Sequence, residues 1–301
     1  MSPLQKRLAP ITCYHLPVTT DPDLDTKLTR LRTIIGEAKS AIIAFSGGVD
    51  STFVAAIAQD VLCDRALAVT GVSPSVPDSE VEEANKLATH IGIAHEIIST
   101  HELDNSSYVD NNPDRCFHCK DDLFDRLTRI GRQRGFDCVA DGSNLDDTGD
   151  FRPGRRAADQ HSVRSPLVDA GMTKSDIREL SRQRGLPTWD KPAMACLASR
   201  IPYGTRVTVE NLSRVGQAEQ YVRSLGVRQL RVRHHVLPSG DPVARIETDD
   251  AGMDAILPQR HQITEHLKSL GYLYVTLDLA GYRTGSLNEA LPRANKDTNG
   301  R

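Results

Sequence analysis

A short stretch of glycines and hydroxyl side chains has the composition of a phosphate-binding loop. Its residues are Ser46, Gly47, Gly48, Val49, Asp50, Ser51 and Thr52. An apolar run at 41–45 precedes the loop and predicts a buried parallel strand, and apolar residues recur at helical spacing over 53–61. Paired glycines at a strand-to-helix turn let the backbone approach an anion, which the free N–H groups of the helix N-terminus then bind. A tight turn with a good N-cap is the alternative, but the flanking strand and helix favour phosphate.

The spacing of the residues in the loop indicates which class of phosphate-binding loop it belongs to. The lysine and the spacing of the Gly-x-x-x-x-Gly-Lys-Ser/Thr loop are missing. The residues resemble instead the Ser-Gly-Gly-x-Asp-Ser loop of the ATP pyrophosphatases. The resemblance implies that the loop from Ser46 to Thr52 holds the β,γ-pyrophosphate of ATP. Attack at the α-phosphorus would then release pyrophosphate and leave an adenylated substrate.

Three carboxylates follow an apolar run at 136–140 that predicts a further strand. They are Asp141, Asp146 and Asp147, and Asn144 between them is a candidate for contact with substrate. Mg²⁺ takes one or two carboxylates together with phosphate oxygens and water. An Asp- and Asn-rich turn is the alternative, but the strand end and the nucleotide loop upstream favour a magnesium site.

A Cys-x-x-Cys motif, Cys116 and Cys119, lies between two cations, Arg115 and Lys120, at the start of an amphipathic helix. Such a motif can bind zinc or a cluster, or form a redox pair. The chain has no second Cys-x-x-Cys, and His118 is the one further ligand nearby, so packed thiols are favoured. The paired cations suit phosphate oxygens or a carboxylate, although a solvated surface pair has the same spacing.

Cys196 lies among small residues in a segment bounded by Pro192 and Gly204. An unpaired cysteine is usually a packed thiol. Arg200 follows four residues later, however, and an adjacent guanidinium favours the nucleophilic thiolate. On chemistry alone a packed thiol and a nucleophile both stay open. Arg200 is also a candidate for binding the substrate or its phosphate.

Two further arginines, Arg231 and Arg233, alternate with apolar residues in a predicted strand. Both therefore emerge on one face of that strand. They are candidates for binding a substrate phosphate, and a polar outer sheet face is the alternative.

The elements that position these residues alternate between strand and helix in the first two thirds of the chain. We expect a helix from Pro22 to Ala38, strands at 66–70 and 93–98, and a helix from the capping-box spacing at Ser79 to Gly92. Thr173 should cap a helix that runs to Arg184. Residues 149–165, which contain Arg152, Arg155, Arg156 and Arg164, are expected to form a mobile loop. The alternation predicts an α/β fold with a doubly wound parallel sheet and ligands at the strand C-termini.

The pattern changes after residue 205. A helix to Leu225, strands at 229–235 and 242–247, a helix to Leu270 and a strand at 272–279 predict a small αββαβ module. We therefore expect an irregular arm at 1–20, a nucleotide-binding domain at 21–205, a smaller α+β domain at 206–290 and a flexible tail at 291–301. Cys196 would lie near the junction of the two domains.

Composition bounds the environment of the protein. The chain has 301 residues, a formal net charge of −3 and six cysteines without a regular framework. Such a balance gives no basic surface for nucleic acid. No apolar run reaches transmembrane length, and no signal-peptide core is present. We expect a cytoplasmic protein with reduced thiols.

The motifs taken together, in this order, resemble the LarE family of ATP-dependent sacrificial sulfur transferases over roughly residues 22–290. The motifs are Ser-Gly-Gly-Val-Asp-Ser, Arg-Cys-x-x-Cys-Lys, Asp-Gly-x-Asn-x-Asp-Asp, the Lys-Ser-Asp-Ile-Arg-Glu-Leu helix and Cys-Leu-Ala-Ser-Arg-Ile-Pro-Tyr-Gly. The family makes part of the nickel-pincer nucleotide cofactor of lactate racemase. It implies ATP, Mg²⁺, a carboxylated pyridinium mononucleotide substrate and a homo-oligomer, for instance a hexamer.

The resemblance also implies a role for Cys196. Its sulfur would attack the adenylated carboxylate, form a thioester and then leave with the product, so that dehydroalanine remains in the chain. Some relatives carry further cysteines here and hold an iron–sulfur cluster, whereas Ala193, Ala195 and Ala198 favour the sacrificial version. The alternatives are an ammonia-dependent amidotransferase, a tRNA-thiolating enzyme and a nucleotide sensor without turnover.

Overall fold

In the computed structural model, which describes residues 22–149, 153–192, 195–283 and 285–290, the chain folds around two separate sheets. The strands are β1 Ala41–Ala44, β2 Ala66–Val72, β3 Ala94–Ser99, β4 Cys138–Ala140, β5 Leu230–Val236, β6 Pro242–Thr248 and β7 Tyr274–Leu277. The α-helices are α1 Pro22–Glu37, α2 Val49–Leu62, α3 Asp78–Ile91, α4 Ser106–Val109, α5 Arg115–Arg134, α6 Pro153–Gln160, α7 Pro166–Asp169, α8 Lys174–Gln183, α9 Val209–Ser224, α10 Asp250–Ile256 and α11 Arg260–Ser269. The predicted arm at 1–20 and tail at 291–301 lie outside the described residues.

The first sheet is parallel throughout and has the order β3-β2-β1-β4. Successive residues of a strand point to opposite faces. Ile43 of β1 therefore joins a core formed with α1, α2 and α8, whereas Ile42 joins a second core formed with α5 and α6. Helices cover both faces of the sheet, which explains why β1 and the first part of β2 are apolar and buried. The edge strand β3 contains His95 and Glu96 and is partly exposed. The α/β doubly wound prediction is confirmed.

The order of the strands creates a crevice beside β1. β2 and β4 lie on opposite sides of β1, so the connections after β1 and β4 diverge at this point. In open α/β sheets, ligands bind at such a switch point, beyond the carboxyl ends of the strands. The glycine loop follows β1 and the Asp141 segment follows β4, so the sheet brings these two loops together.

Two predictions about local structure are wrong. Helix α3 begins at Asp78 with Pro77 as its N-cap and has no side-chain cap, so Ser79 lies inside the helix. Helix α6 occupies most of the expected mobile loop, because Ala157 and Ala158 are buried in the core beside α5. Arg152 lies outside the described residues.

Several helix ends are confirmed. Thr173 forms a full capping box with Asp176 at the start of α8, and Gly92 ends α3 in the left-handed conformation. Such boxes satisfy two of the backbone N–H groups that a helix start leaves unpaired. Helix α1 spans 22–37 as expected.

The second sheet has the order β5-β6-β7, with β5 and β6 antiparallel and β6 and β7 parallel. Helices α9 and α11 pack on it around a separate apolar core. The predicted second helix is divided, because a 3-10 turn at Leu257–Gln259 that contains Pro258 separates α10 from α11. The domain boundary near residue 205 stays a prediction. No helix in the described ranges has the length and apolar character needed to cross a membrane.

Candidate active site

The glycine loop is held by its own hydroxyl groups. The hydroxyls of Ser46 and Ser51 lie 3.1 Å apart, and Ser51 Oγ also accepts a hydrogen bond of 3.2 Å from the Ser46 amide. Gly47 has φ 68°, and an added Cβ there would lie 3.4 Å from the Ala84 backbone. This residue therefore has to be glycine for the loop to turn between β1 and α2. Thr52 is fully buried, and Ser46 is exposed.

Two lysines that the sequence did not single out reach this loop. Lys174 Nζ forms an ion pair with Asp50 Oδ2, and Lys191 Nζ donates a 3.1 Å hydrogen bond to the Gly47 carbonyl oxygen. These contacts join residues 124 and 144 positions apart. No local spacing could reveal them. Both place a positively charged group beside the predicted pyrophosphate site, and both are paired with a carboxylate, since Lys191 also forms an ion pair of 2.9 Å with Glu83.

We expect Lys174→Met to raise the KM for ATP about tenfold or more, because a charged hydrogen-bond donor contributes roughly 1.5–3 kcal/mol. Steady-state pyrophosphate release measures this effect. Lys268→Met, on the exposed side of α11, is the matched control and should leave the KM unchanged. A KM for ATP that is the same in both variants would contradict a role for Lys174 in ATP binding, provided that thermal unfolding shows a folded protein.

The carboxylates of residues 141–147 accept hydrogen bonds that hold this turn in shape. Asp141 accepts hydrogen bonds from the Ser143 amide at 3.1 Å and from Ser165 Oγ at 2.8 Å. Asp147 accepts one of 3.0 Å from the Asn144 amide, and Asp146 accepts one of 2.8 Å from the Lys174 amide. Across the described ranges, no three His, Cys, Asp or Glu side chains converge as metal ligands. The magnesium role of Asp141, Asp146 and Asp147 stays a prediction.

Backbone contacts hold the Cys196 segment in place. Cys196 precedes a 3-10 turn at Leu197–Arg200, and the Leu197 amide donates a 2.9 Å hydrogen bond to the Ser75 carbonyl. The Arg115 guanidinium donates one of 2.9 Å to the Ala198 carbonyl. Asn111, which is fully buried with φ 57°, donates to three carbonyl groups between residues 201 and 205. Arg115 and Asn111 therefore position the segment.

The Cys-x-x-Cys motif lies beside Cys196. Cys119 and Cys196 both pack against the same apolar cluster, which includes Tyr108. Burial raises the pKa of the Cys119 thiol, and the nearby Glu102 and Cys196 raise it further. Cys119 is consequently a neutral thiol at physiological pH and is packed as predicted, whereas Cys116 is exposed and does not fit the prediction of two packed thiols.

Arg200 contacts the backbone of Cys196. Its Nη1 donates to the Cys196 carbonyl oxygen at 3.1 Å and to Ser199 Oγ at 2.9 Å. Its Nε and Nη2 form two hydrogen bonds, of 2.8 and 3.0 Å, with Glu219 of α9. Glu219 also accepts a hydrogen bond from the Val232 amide in β5. This chain of contacts connects the Cys196 segment to the second sheet.

The arginines of β5 differ in their environments. Arg233 is 1% exposed and pairs with Glu247 at 2.8 Å, and it donates to the Ser199 carbonyl at 2.7 Å. Arg231 lies over the Tyr282 ring, 4.7 Å from its centroid, and burial lowers its pKa. The contact of Arg233 with Ser199 directs this face of β5 toward the Cys196 segment. The roles of both residues in substrate binding stay predictions.

The predicted residues therefore form two groups that one segment joins. The glycine loop, the 141–147 turn and Lys174 form the first group; Cys196, Arg115, Arg200 and Arg233 form the second. Lys191 contacts the loop five residues before Cys196. Lys120 stays near Phe124, with Nζ 5.2 Å from the ring centroid.

The fold and the glycine loop together define the class of enzyme to which the chain belongs. A Ser-Gly-Gly-x-Asp-Ser loop at the switch point of a parallel sheet, with lysines beside it, is the site of a PP-loop ATP pyrophosphatase. The family model described as NAD synthase matches residues 30–124.

Similar proteins place the chain within this class. An uncharacterized protein of Synechocystis sp. is 45% identical over 272 residues, which cover 90% of this chain and 100% of that protein. The pyridinium-3,5-bisthiocarboxylic acid mononucleotide synthase of Lactiplantibacillus plantarum is 37% identical over 272 residues, 90% of this chain and 97% of that enzyme. An uncharacterized protein of Methanocaldococcus jannaschii is 26% identical over 261 residues, 86% of this chain and 98% of that protein. The chain belongs to the LarE family.

Proposed function

We propose that the protein is an ATP-dependent sacrificial sulfur transferase that converts a carboxyl group of a pyridinium carboxylic acid mononucleotide into a thiocarboxylate. The observation that carries the proposal is the segment from Lys191 to Arg200. Its first residue contacts the pyrophosphate loop, and its middle holds Cys196. One stretch of chain therefore contacts the loop proposed to bind ATP and also carries the thiol proposed to attack the activated carboxyl group. The name of the Lactiplantibacillus plantarum relative supports this substrate class.

The proposed reaction has three steps. The substrate carboxylate attacks the α-phosphorus of ATP, and pyrophosphate leaves. The Cys196 sulfur then attacks the acyl adenylate, which expels AMP and forms a thioester. Loss of the Cys196 Cα proton and cleavage of its Cβ–S bond release the thiocarboxylate and leave dehydroalanine. Acylation makes the sulfur a better leaving group, so the last step needs only a base.

Magnesium fits the loop through Asp50. Its Oδ1 is buried and has no hydrogen-bond partner in the described part of the chain, while Oδ2 contacts Lys174. Mg²⁺ is commonly held by one or two carboxylates with phosphate oxygens and water. Bound there, it would neutralise charge on the phosphate oxygens of ATP. Asp141, Asp146 and Asp147 are proposed to support this site from the neighbouring turn.

The cationic residues proposed to bind the substrate phosphate differ in whether they already form an ion pair. The guanidinium groups of Arg200 and Arg233 each pair with a buried glutamate, and that of Arg115 bonds to a carbonyl oxygen. Among the described residues, Arg231 and Lys120 have no carboxylate partner. Bringing a phosphate to an unpaired cation breaks no ion pair. We therefore assign the phosphate contact to Arg231 and Lys120 first.

The test is intact-protein mass spectrometry after reaction with ATP, Mg²⁺ and the dicarboxylated pyridinium mononucleotide. We expect the chain to lose about 34 Da, one H₂S, since the nucleophile's own sulfur is transferred. Peptide mapping should place the loss at Cys196. A chain that forms thiolated product and keeps its full mass would overturn the sacrificial mechanism. Amidated product from ammonia would establish the amidotransferase instead.

A further inference from the structure

The carbonyl oxygen of Cys196 accepts a hydrogen bond from a buried cation. Arg200 Nη1 lies 3.1 Å from this oxygen, and Arg200 is 3% exposed. Glu219 holds the other edge of the guanidinium with two hydrogen bonds. The Arg200 guanidinium therefore holds a positive charge beside the carbonyl oxygen of Cys196. The sequence spacing had instead suggested that Arg200 contacts the Cys196 sulfur.

A carboxyl group of helix α3 interacts electrostatically with the same guanidinium. Glu80 lies in the first turn of α3 and interacts electrostatically with Arg200 and Lys191, and more weakly with Glu219 and Glu83. Its side chain makes no hydrogen bond or ion pair in the described portion of the protein, whereas its backbone amide donates to the Pro77 carbonyl. The hydrogen bond between the Leu197 amide and the Ser75 carbonyl brings the chain just before α3 against the Cys196 segment.

We propose that Glu80 removes the Cα proton of Cys196 in the elimination step and that Arg200 stabilises the negative charge that develops on the Cys196 carbonyl oxygen. This inference rests on the proposed function. The electron pair of the Cα–H bond forms the Cα=Cβ double bond, and the Cβ–S bond breaks with its electrons on the thiocarboxylate sulfur. The proton ends on Glu80, and no external oxidant or reductant takes part.

The chemistry demands both groups. A proton next to an amide carbonyl is weakly acidic, and the charge left by its removal is shared with the carbonyl oxygen. A preorganised donor at that oxygen stabilises the transition state, and removal of one such donor typically slows a reaction about 10²–10³-fold. Burial raises the pKa of Glu80, although Lys191 and Arg200 lower it, and a less acidic carboxyl group is a stronger base.

Glu102 is a further acidic side chain in this region, and it contacts a different set of groups. It is 1% exposed and accepts hydrogen bonds from Ser73 and from Ser75, the latter at 2.8 Å. It interacts electrostatically with Tyr108, Cys119 and Arg126. The carboxylates that interact most strongly with Arg200 are instead Glu219 and Glu80. Glu80 interacts with Arg200, which contacts the Cys196 carbonyl oxygen, so Glu80 is the acidic side chain that we assign to this step.

The first experiment follows single-turnover reactions by intact-protein mass spectrometry. The variants are Glu80→Gln and the double variant Arg200→Gln/Glu219→Gln, which removes both members of the ion pair and leaves no unpaired buried charge. We expect both to release pyrophosphate and accumulate the thioester adduct, with elimination slowed about 100-fold. Glu82→Gln, and Arg184→Gln/Asp60→Asn as a second ion-pair deletion, are the controls. Elimination at the wild-type rate in Glu80→Gln and in the double variant would overturn the inference.

A second experiment needs no nucleotide substrate. Cyanylation of the thiols gives S-cyanocysteine, which can eliminate thiocyanate to form dehydroalanine. We expect cyanylated Cys196 to eliminate faster in the wild-type protein than in Glu80→Gln, as followed by peptide mapping at residue 196. Equal rates would overturn the inference even if the variant in the first experiment were misfolded. A Glu80-dependent elimination without any turnover of the mononucleotide would support the inference and contradict the proposed substrate.

Discussion

A Cys196→Ser variant is expected to release pyrophosphate but to form no thiolated product. The serine hydroxyl can attack the acyl adenylate, but the resulting ester contains no sulfur to transfer. The backbone contacts of the segment, which involve Ser75 and Arg115, do not use the thiol and should persist. We expect product formation to fall by at least about 10³-fold, since no other group replaces a lost nucleophile.

The measurement is chromatography of the nucleotide product together with intact-protein mass. The variant should either keep its mass or carry an ester adduct at residue 196. Cys63→Ser, which changes a half-buried thiol after α2, is the control and should transfer sulfur normally. Thiolated product from Cys196→Ser would show that the sulfur comes from another cysteine or from solution, and would refute the sacrificial role of Cys196.

The centre of the parallel sheet was predictable because β1 and most of β2 are covered on both faces. Such strands must be apolar throughout, so short runs such as 41–45 stand out in the sequence. Helix ends set by one residue were also predictable, as Gly92 and Thr173 illustrate. Ser79 has the same capping spacing, but Pro77 has the extended backbone of an N-cap and starts the helix earlier. Local spacing alone could not decide between these two starts.

Helix α6 was missed for a different reason. It has eight residues and begins with Pro153 and Gly154, and an isolated helix of this length is marginal in water. Short helices draw most of their stability from tertiary packing. Here that packing comes from Ala157 and Ala158 against the core beside α5, which no local pattern announces.

The candidate site likewise has a part that was predictable from the sequence and a part that was not. The glycine loop is contiguous, so its residues and their chemistry were predictable together. Lys174 and Lys191 enter through contacts between distant parts of the chain. Arg200 and Arg233 were predicted as cations for a substrate, but a sequence does not show that Glu219 and Glu247 pair with them. Charge can be read from the sequence, whereas its neutralisation depends on the fold.

Gly142→Ala is expected to disable ATP turnover by pushing two loops apart. An added Cβ at Gly142 would lie 2.7 Å from the Ser51 amide nitrogen and 3.0 Å from the Ser51 Cα. Both atoms belong to the backbone at the start of α2, so no side chain can rotate away. The overpacking should cost about 1–3 kcal/mol of stability. Displacement of the pyrophosphate loop by about 1 Å should lower kcat/KM roughly 10²-fold.

Pyrophosphate release and thermal unfolding together test this prediction. Gly131→Ala is the matched control, because an added Cβ there meets only side chains, at 3.7 Å and beyond, within helix α5. Alanine is favoured over glycine inside a helix by about 1 kcal/mol, so the control should be at least as stable as the wild type and equally active. If Gly142→Ala keeps the wild-type kcat/KM, the close approach of the turn after β4 to the pyrophosphate loop does not control ATP binding. ATP binding would then depend on the loop after β1 and not on the turn after β4.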